Sequence, residues 1–368
     1  MPGSQSPYGL LLETDQPQFG PSPPPLAGAE LPSFRFPLAN AKTKVMPGGT
    51  AKEANVSGFP VSEKLAGVYM TLEPGALREL HWHANAAEWA YVIDGNCRVT
   101  TIDPQGRAEI VDFGVGDIWY FPRGHGHSIQ GLGPSGCTFV LVFDNGYFSE
   151  FGTFSITDWV GHTPPEVLAR NFNLPASAFA DFPKAEVYIA TGPVPGPLPA
   201  DPAMVLDPPL THRYRLLAQA PQIFDGGTMR VASMAEFPIS STMTGALLVI
   251  KPGGMRELHW HPNAAEWQLY LKGTGRMTVF GSGGRARTDE FGPLDVGYVP
   301  QGFGHYIENT GDTDLELIVV LNNATYQSIS ITAWMAATPE LLLSTNFGVP
   351  ESVFAKFPRG EVAMPERS

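Results

Sequence analysis

Two sets of three histidines and one glutamate carry the chemistry legible in this chain: His81, His83, Glu88 and His127, then His259, His261, Glu266 and His305. Every member of the second set lies 178 residues after its counterpart. Imidazole nitrogens and a carboxylate are ligands for divalent first-row metals. Scattered core histidines would not recur in one frame, and seven of the nine histidines fall in or beside these two sets. Three nitrogens and one oxygen leave up to two positions open on a six-coordinate ion. That suits Mn(II) or Fe(II) acting on a small oxygen ligand, whereas catalytic zinc more often keeps three protein ligands in a tetrahedral site. The protein ligands alone do not choose between manganese and iron.

The elements that must position these side chains follow from the pleat of a strand. His81 and His83 are two residues apart, so both project to one face and Trp82 to the other. Glu88 is five residues beyond His83 and would point to the opposite face of an unbroken strand, so the chain must turn over Ala84-Asn85-Ala86-Ala87. His127 arrives on another strand after the turn Pro122-Arg123-Gly124. Arg78 precedes His81 by three, which aims it away from the ligands unless a bulge turns it inward. Trp82 and Trp260 read as packing residues, His125 as a loop residue and His162 as a surface residue. His212 points to nothing specific.

The duplication extends beyond the ligands. Gly48-Gly49 matches Gly226-Gly227, Phe59-Pro60 matches Phe237-Pro238, and Arg78 to His83 matches Arg256 to His261. Past the strands the offset falls to 175, because the first copy carries three extra residues between Phe148 and Ser155. At roughly 100 to 200 residues per domain, the length favours two domains. Forty glycines, 36 prolines and 16% charged residues predict an all-β fold of short strands and many turns. Alternating segments Ala66 to Leu72, Trp89 to Ile93, Cys97 to Ile102 and Thr138 to Phe143 read as strands. The expected organisation is an extended proline-rich arm over 1–44, a first domain over 45–190, a proline-rich linker over 191–224 and a second domain over 225–368. A short helical tail follows the strands of each copy. Thr163-Pro164-Pro165-Glu166 has capping-box spacing at the start of the first tail, and Thr338-Pro339-Glu340 begins the second.

A net charge of −13 excludes a nucleic-acid partner, which requires basic surface. It also requires any anion site to supply its positive charge locally. No apolar run approaches the ~20 residues that span a bilayer, and no secretory signal precedes Gly20, so a cytoplasmic location is expected. Cys97 and Cys137 read as buried free thiols.

Gly75, His81, His83, Glu88 and Gly95 have the spacing of the first cupin motif, and Gly253 to Gly273 repeats it. Pro300, Gly302, His305 and Asn309 match the second motif. Pro122, Gly124 and His127 match it in the first copy, with Gly131 at the asparagine position. The chain is thus identified as a member of the cupin family. It resembles the two-domain oxalate decarboxylases of bacterial type in Leu77 to His83, Glu88-Trp89-Ala90-Tyr91, Asp117 to Pro122 and Phe143-Asp144-Asn145-Gly146, which leads into Phe148-Ser149-Glu150. It departs from some of them in having four residues, not three, between His83 and Glu88. The resemblance implies two tandem jelly-roll barrels with short helical tails, Mn(II) in each, dioxygen as co-catalyst, oxalate as substrate, and a homo-oligomer that is a trimer or a hexamer of two trimers.

The resemblance also places an active-site lid over about 146–155, where the three-residue surplus brings Glu150. The second copy runs Tyr326-Gln327-Ser328-Ile329 and has no carboxylate there, which puts the chemistry in the first barrel. Glu150 becomes the proton carrier, serving both transfers if its pKa lies near the working pH. Arg78 polarises the substrate and offsets its charge, and Arg256 is its substrate-binding counterpart. Gly146 and Gly152 flank the glutamate as a hinge or as simple turns. Phe151-Gly152 replaces the polar residues common at this point in decarboxylases and puts closure of the lid in question. Without a placed acid the same site would oxidise oxalate to carbon dioxide and hydrogen peroxide. Storage cupins of two domains typically lose ligands, whereas both sets here are complete.

Overall fold

The computed structural model describes residues 30–198 and 206–366. Pro21 and Pro23 to Pro25 of the arm, and residues 199–205 of the linker, lie outside them. The described residues form two antiparallel jelly-roll barrels, each followed by short helices.

In the first barrel one 15-residue strand, Glu88–Ile102, serves both sheets. Its first half pairs with Cys137–Phe143 and Asp117–Phe121, and its second half with Ala108–Gly114 and Gly126–Gly131. The two strands expected from alternation are therefore one, bent at Gly95, whose φ of +70° few side chains tolerate. The second barrel breaks the same stretch at Gly273 into Glu266–Lys272 and Gly275–Gly281. Inward residues of each barrel make its core, including Met70, Val99, Phe139 and Leu141 in the first and Leu248, Met277, Ile307 and Leu317 in the second.

The barrels exchange edge strands. Arg35–Pro37 pairs with Asp295 to Gly297 of the second barrel, and Arg213–Arg215, 178 residues later, pairs with Asp117 to Trp119 of the first. The described end of the arm is thus held by the far barrel, with Ser33 and the Phe34 amide bonded to Asp289. Two tryptophans make the same exchange across the interface. Trp267 lies on Gly67 and Trp89 on Gly245, so close that a Cβ on either glycine would fall 2.1 Å from the ring. Both rings are fully buried in an apolar cluster shared by the two barrels.

Each tail holds two main helices where the sequence suggested one: Ile156–Gly161 and Pro165–Phe172 after the first barrel, Ile331–Ala337 and Glu340–Phe347 after the second. Ser155 and Ser330 cap the earlier helix of each pair. The capping box expected at Thr163 does not form. Pro164 takes the cap position, and the Thr163 hydroxyl donates back to Trp159 O at 2.8 Å, as Thr338 does to Trp334 O at 2.9 Å.

Candidate metal centres and their asymmetric surroundings

The strand Leu77–Trp82 carries His81 and runs into His83, the turn at 84–87 returns the chain to Glu88 at the head of the long strand, and Gly126–Gly131 brings His127 opposite His81. The four side chains are buried, and their candidate ligand atoms all lie within 4.8 Å of one another. His259, His261, Glu266 and His305 converge in the same way in the second barrel.

Hydrogen bonds orient the rings. His81 Nδ1 donates to Glu79 O at 2.6 Å and His127 Nδ1 to His125 O at 2.9 Å, so each Nε2 faces its three companions. His259 and His305 donate to Glu257 O and Phe303 O in the same manner, and His261 to Gln327 O. The Nε2 atoms of His81, His127 and His305 and Glu88 Oε2 are buried with no hydrogen-bond partner, which a shared cation would satisfy. Burial first, then Arg78 and the neighbouring imidazoles, holds His81 well below the usual histidine range; burial and Arg256 do the same to His259. Neutral imidazoles are the form that binds metal. Both sets therefore fit a divalent ion of the manganese or iron type.

The glutamate of each centre is held by a different donor. Trp119 Nε1 donates to Glu88 Oε1 at 2.7 Å, whereas Gln268 Nε2 donates to Glu266 Oε1 at 2.6 Å. The position matching Trp119 is Gly297, where a Cβ would fall 2.3 Å from Gln268 Oε1, and the position matching Gln268 is Ala90. One function has moved between neighbouring strands, with the vacated position shrunk to make room.

Arg78 does turn inward. The register of its strand slips between Arg78 and His81, and that of the second barrel slips between Arg256 and His259. Arg78 is fully buried, with Nη1 donating to Tyr188 O and Nη2 to Thr153 Oγ1. Its Nε and Nη2 lie 2.8 and 2.7 Å from Glu150 Oε1. The inserted segment thus forms a closed turn, Glu150–Gly152, capped by the Ser149 hydroxyl. Glu150 is fully buried, with Oε2 3.2 Å from His83 Nε2. Phe151-Gly152 therefore does not prevent closure.

The structure bears on two points left open for this segment. Of the hinge and turn readings, the packing of Gly146 favours the turn: a Cβ there would fall 1.9 Å from Ser62 O, and its amide and carbonyl are bonded to Glu63 and Val56. The second point is the Glu150 carboxyl, which is held below the usual carboxylate range in this arrangement. Burial alone would push its carboxyl up, but Arg78 and His83 outweigh burial and bring it down to about 2.

Around the second centre the shorter loop offers no carboxylate. Arg256 donates to Ser328 Oγ at 3.0 Å, to Tyr326 Oη at 3.5 Å and to Ala363 O at 3.1 Å. Its site opens beside a cavity of about 500 Å³ that Tyr326 and Glu361 help to line.

Several residues around the first centre were not legible as functional. Glu53 accepts from Ser149 Oγ and Glu150 N at 3.0 and 2.9 Å, fastening the closed turn; the matching residue is Val231. Tyr188, whose match is Ala363, lays its ring against Arg78. His212 donates from Nδ1 to Glu109 at 2.8 Å and lies 3.1 Å from His125, behind the loop that presents His127. A mismatch within the repeat frame marks Glu53 and Tyr188, but no local motif does. Trp82 stacks on Phe154, His162 is exposed, and Cys97 and Cys137 are buried free thiols.

The cupin family model matches residues 38–178 and 214–353. Oxalate decarboxylase OxdC of Bacillus subtilis (strain 168) is 45% identical over 328 residues, covering 88% of this chain and 84% of that one. A probable oxalate decarboxylase of Arthroderma benhamiae is 37% identical over 333 residues, covering 88% and 80%. A solved structure of the Bacillus subtilis oxalate decarboxylase, a protein with Mn(II) centres, superposes with a TM-score of 0.86 at 40% identity, covering 92% of this chain and 90% of that one.

Proposed function

This chain belongs to the oxalate decarboxylases, within the cupin family, and from that premise we propose that it cleaves oxalate to formate and carbon dioxide, with catalysis at the N-terminal centre. The observation that carries the proposal is Glu150, a carboxylate delivered by the inserted turn onto both Arg78 and the candidate ligand His83. His81, His83, Glu88 and His127 would hold one manganese ion, and His259, His261, Glu266 and His305 a second. Manganese supplies a Lewis-acidic anchor for a carboxylate and, with dioxygen as co-catalyst, one-electron oxidising power.

The rest is the work of the chain's own residues. Arg78 brings a buried positive charge into an acidic protein and is shaped to grip a carboxylate. Incoming oxalate monoanion competes with Glu150 for that guanidinium. As Arg78 turns to the substrate, Glu150 loses the larger of the two partners that depress its pKa, and its affinity for a proton rises. It can then take the proton of the substrate's remaining carboxyl group. The carbon–carbon bond breaks, carbon dioxide leaves, and Glu150 returns the proton to the carbon that becomes formate. Thr153 accepts from Arg78 through its hydroxyl and holds the guanidinium on the lid side. Arg256 gives the second centre a carboxylate grip without a proton carrier.

The exposed apolar residues of the two tails, Trp159 with Trp334 and Phe172 with Phe347, recur at matching positions and supply the surface for a homo-oligomer, a trimer or a hexamer of two trimers. Light scattering tests the assembly. The activity is tested by following formate and hydrogen peroxide from oxalate under air with manganese-loaded protein. Formate close to one per oxalate is expected. Peroxide as the main product would make the protein an oxidase, and neither product would remove oxalate as the substrate.

A further inference from the structure

The closed turn is held from outside as well as from within. Phe151 packs partly buried against the first barrel, its ring edge-on to Tyr188 with centroids 6.2 Å apart. Two cations lie over the Tyr188 ring. Lys44 Nζ lies 3.3 Å from the centroid of its ring and Arg78 Cζ 4.1 Å. Lys44 Nζ is also 5.1 Å from the Phe151 ring and 4.0 Å from Glu186. An ammonium over aromatic faces is attracted by their electron density, and half-burial strengthens the attraction. The same lysine thus ties the turn's one apolar side chain to the tail residue that orients Arg78.

None of this recurs around the second centre, where Gln222 stands at the place of Lys44 and Ala363 at that of Tyr188. Gly152, next to Phe151, meets nothing within 4 Å of a built Cβ and has no positive φ, so no packing demand fixes the turn on that side. The polar contacts Ser149–Glu53 and Thr153–Arg78 bracket the turn, and Phe151 is the residue between them that anchors it by packing.

We propose that Phe151, clamped with Tyr188 under Lys44, is the latch that keeps the lid shut over the first centre. Phe151 and Lys44 are positioning residues: they set how much of the time Glu150 stands at the site. Their consequence for product rests on the oxalate reading. A lid that opens during turnover leaves the proton carrier absent, and peroxide then forms at the expense of formate.

The test is amide hydrogen exchange of residues 149–153 in the manganese-loaded protein, with the strand Cys137–Phe143 as internal reference, for wild type, Phe151→Ala, Phe151→Leu and Lys44→Gln. Lid exchange about tenfold faster in Phe151→Ala is expected, with the reference strand unchanged and most protection restored by Phe151→Leu. Lys44→Gln, which leaves the ring in place, is expected to speed lid exchange a few-fold. It decides the matter if the alanine variant does not fold. Lid exchange equal to wild type in Phe151→Ala, or in Lys44→Gln when that variant must decide, overturns the latch. With oxalate, the peroxide share is expected to rise in step with lid exchange. If wild type makes neither formate nor peroxide, the functional reading fails while lid exchange still decides the latch.

Discussion

Around the first set of candidate ligands a buried arginine meets a carboxylate at 2.7 Å; around the second, its counterpart donates to two hydroxyls, with the carboxylates of Glu257 and Glu361 farther off at 3.8 and 3.9 Å. The ligand sets match in type, spacing and burial, and both arginines enter through the same register slip. One ring differs: His83 turns Nδ1 to Glu88 and Nε2 to Glu150, where His261 turns Nε2 to Glu266. The other differences lie one layer out: three inserted residues with Glu150, and Glu53, Lys44 and Tyr188, which hold that insertion closed. Duplication kept the machinery for holding a metal in both barrels. In the proposed reaction the proton carrier, Glu150, stands beside only the first of them.

The largest effect should come from Glu150. Glu150→Ala is expected to lower formate production by about 10² to 10⁴-fold, the range for removing a general acid–base group. Ser328→Ala, which alters the matching loop, should stay within about twofold, because no proton carrier is lost. Equal losses in the two would abolish the distinction between the centres.

Arg78→Lys and Arg256→Lys come next. A lysine cannot reproduce a forked grip on carboxylate, so Arg78→Lys should cost about 10²-fold in kcat/KM and Arg256→Lys much less. Steady-state kinetics on variants matched for manganese content checks this.

The exchanged donors sharpen the comparison at the metal itself. Trp119→Phe should weaken manganese binding about 10 to 100-fold at the first centre only, and Gln268→Leu at the second only. Titration followed by electron paramagnetic resonance would resolve them. Weakening of both centres by either change would mean that the donors act through the fold and not on their own glutamate.

The smallest effect concerns the clamps that hold the exchanged strands. Glu109 binds the linker to the first barrel through the Thr211 hydroxyl and the His212 amide and ring, as Asp289 binds the arm to the second. Burial pushes the Glu109 carboxyl up, but the bonds from His212 and Thr211 outweigh it and hold it below its usual value. Its stabilisation is therefore present above the unfolded carboxyl's pKa and is lost as pH falls through the lowered value. Glu109→Gln should cost about 1 to 3 kcal/mol at neutral pH, with the deficit shrinking in acid; thermal unfolding across pH measures it.

The ligands were legible because metal coordination imposes residue types at spacings that the strand pleat translates directly into faces. Glu150 was legible by subtraction, as a surplus against the repeat frame. Trp119 and Gln268 were not, because each reaches its glutamate across strands, and no local pattern shows that a donor has moved from one strand to its neighbour. Tyr188 was hidden for a similar reason, since its carbonyl and ring meet Arg78 only after the helical tail returns to the barrel. The capping box at Thr163 misled because its consecutive prolines shift the start of the helix by one residue. The exchange of edge strands between barrels is a long-range choice that the short segments Arg35–Pro37 and Arg213–Arg215 do not encode by themselves.

The most direct test of where the chemistry resides is to remove one centre at a time. His81→Ala/His83→Ala and His259→Ala/His261→Ala, each shown to be folded and to retain one manganese per chain, would be compared for formate released from oxalate. Loss of formate in the first and its substantial retention in the second is the expected result. Retention in the first, with loss in the second, would refute an N-terminal site of catalysis.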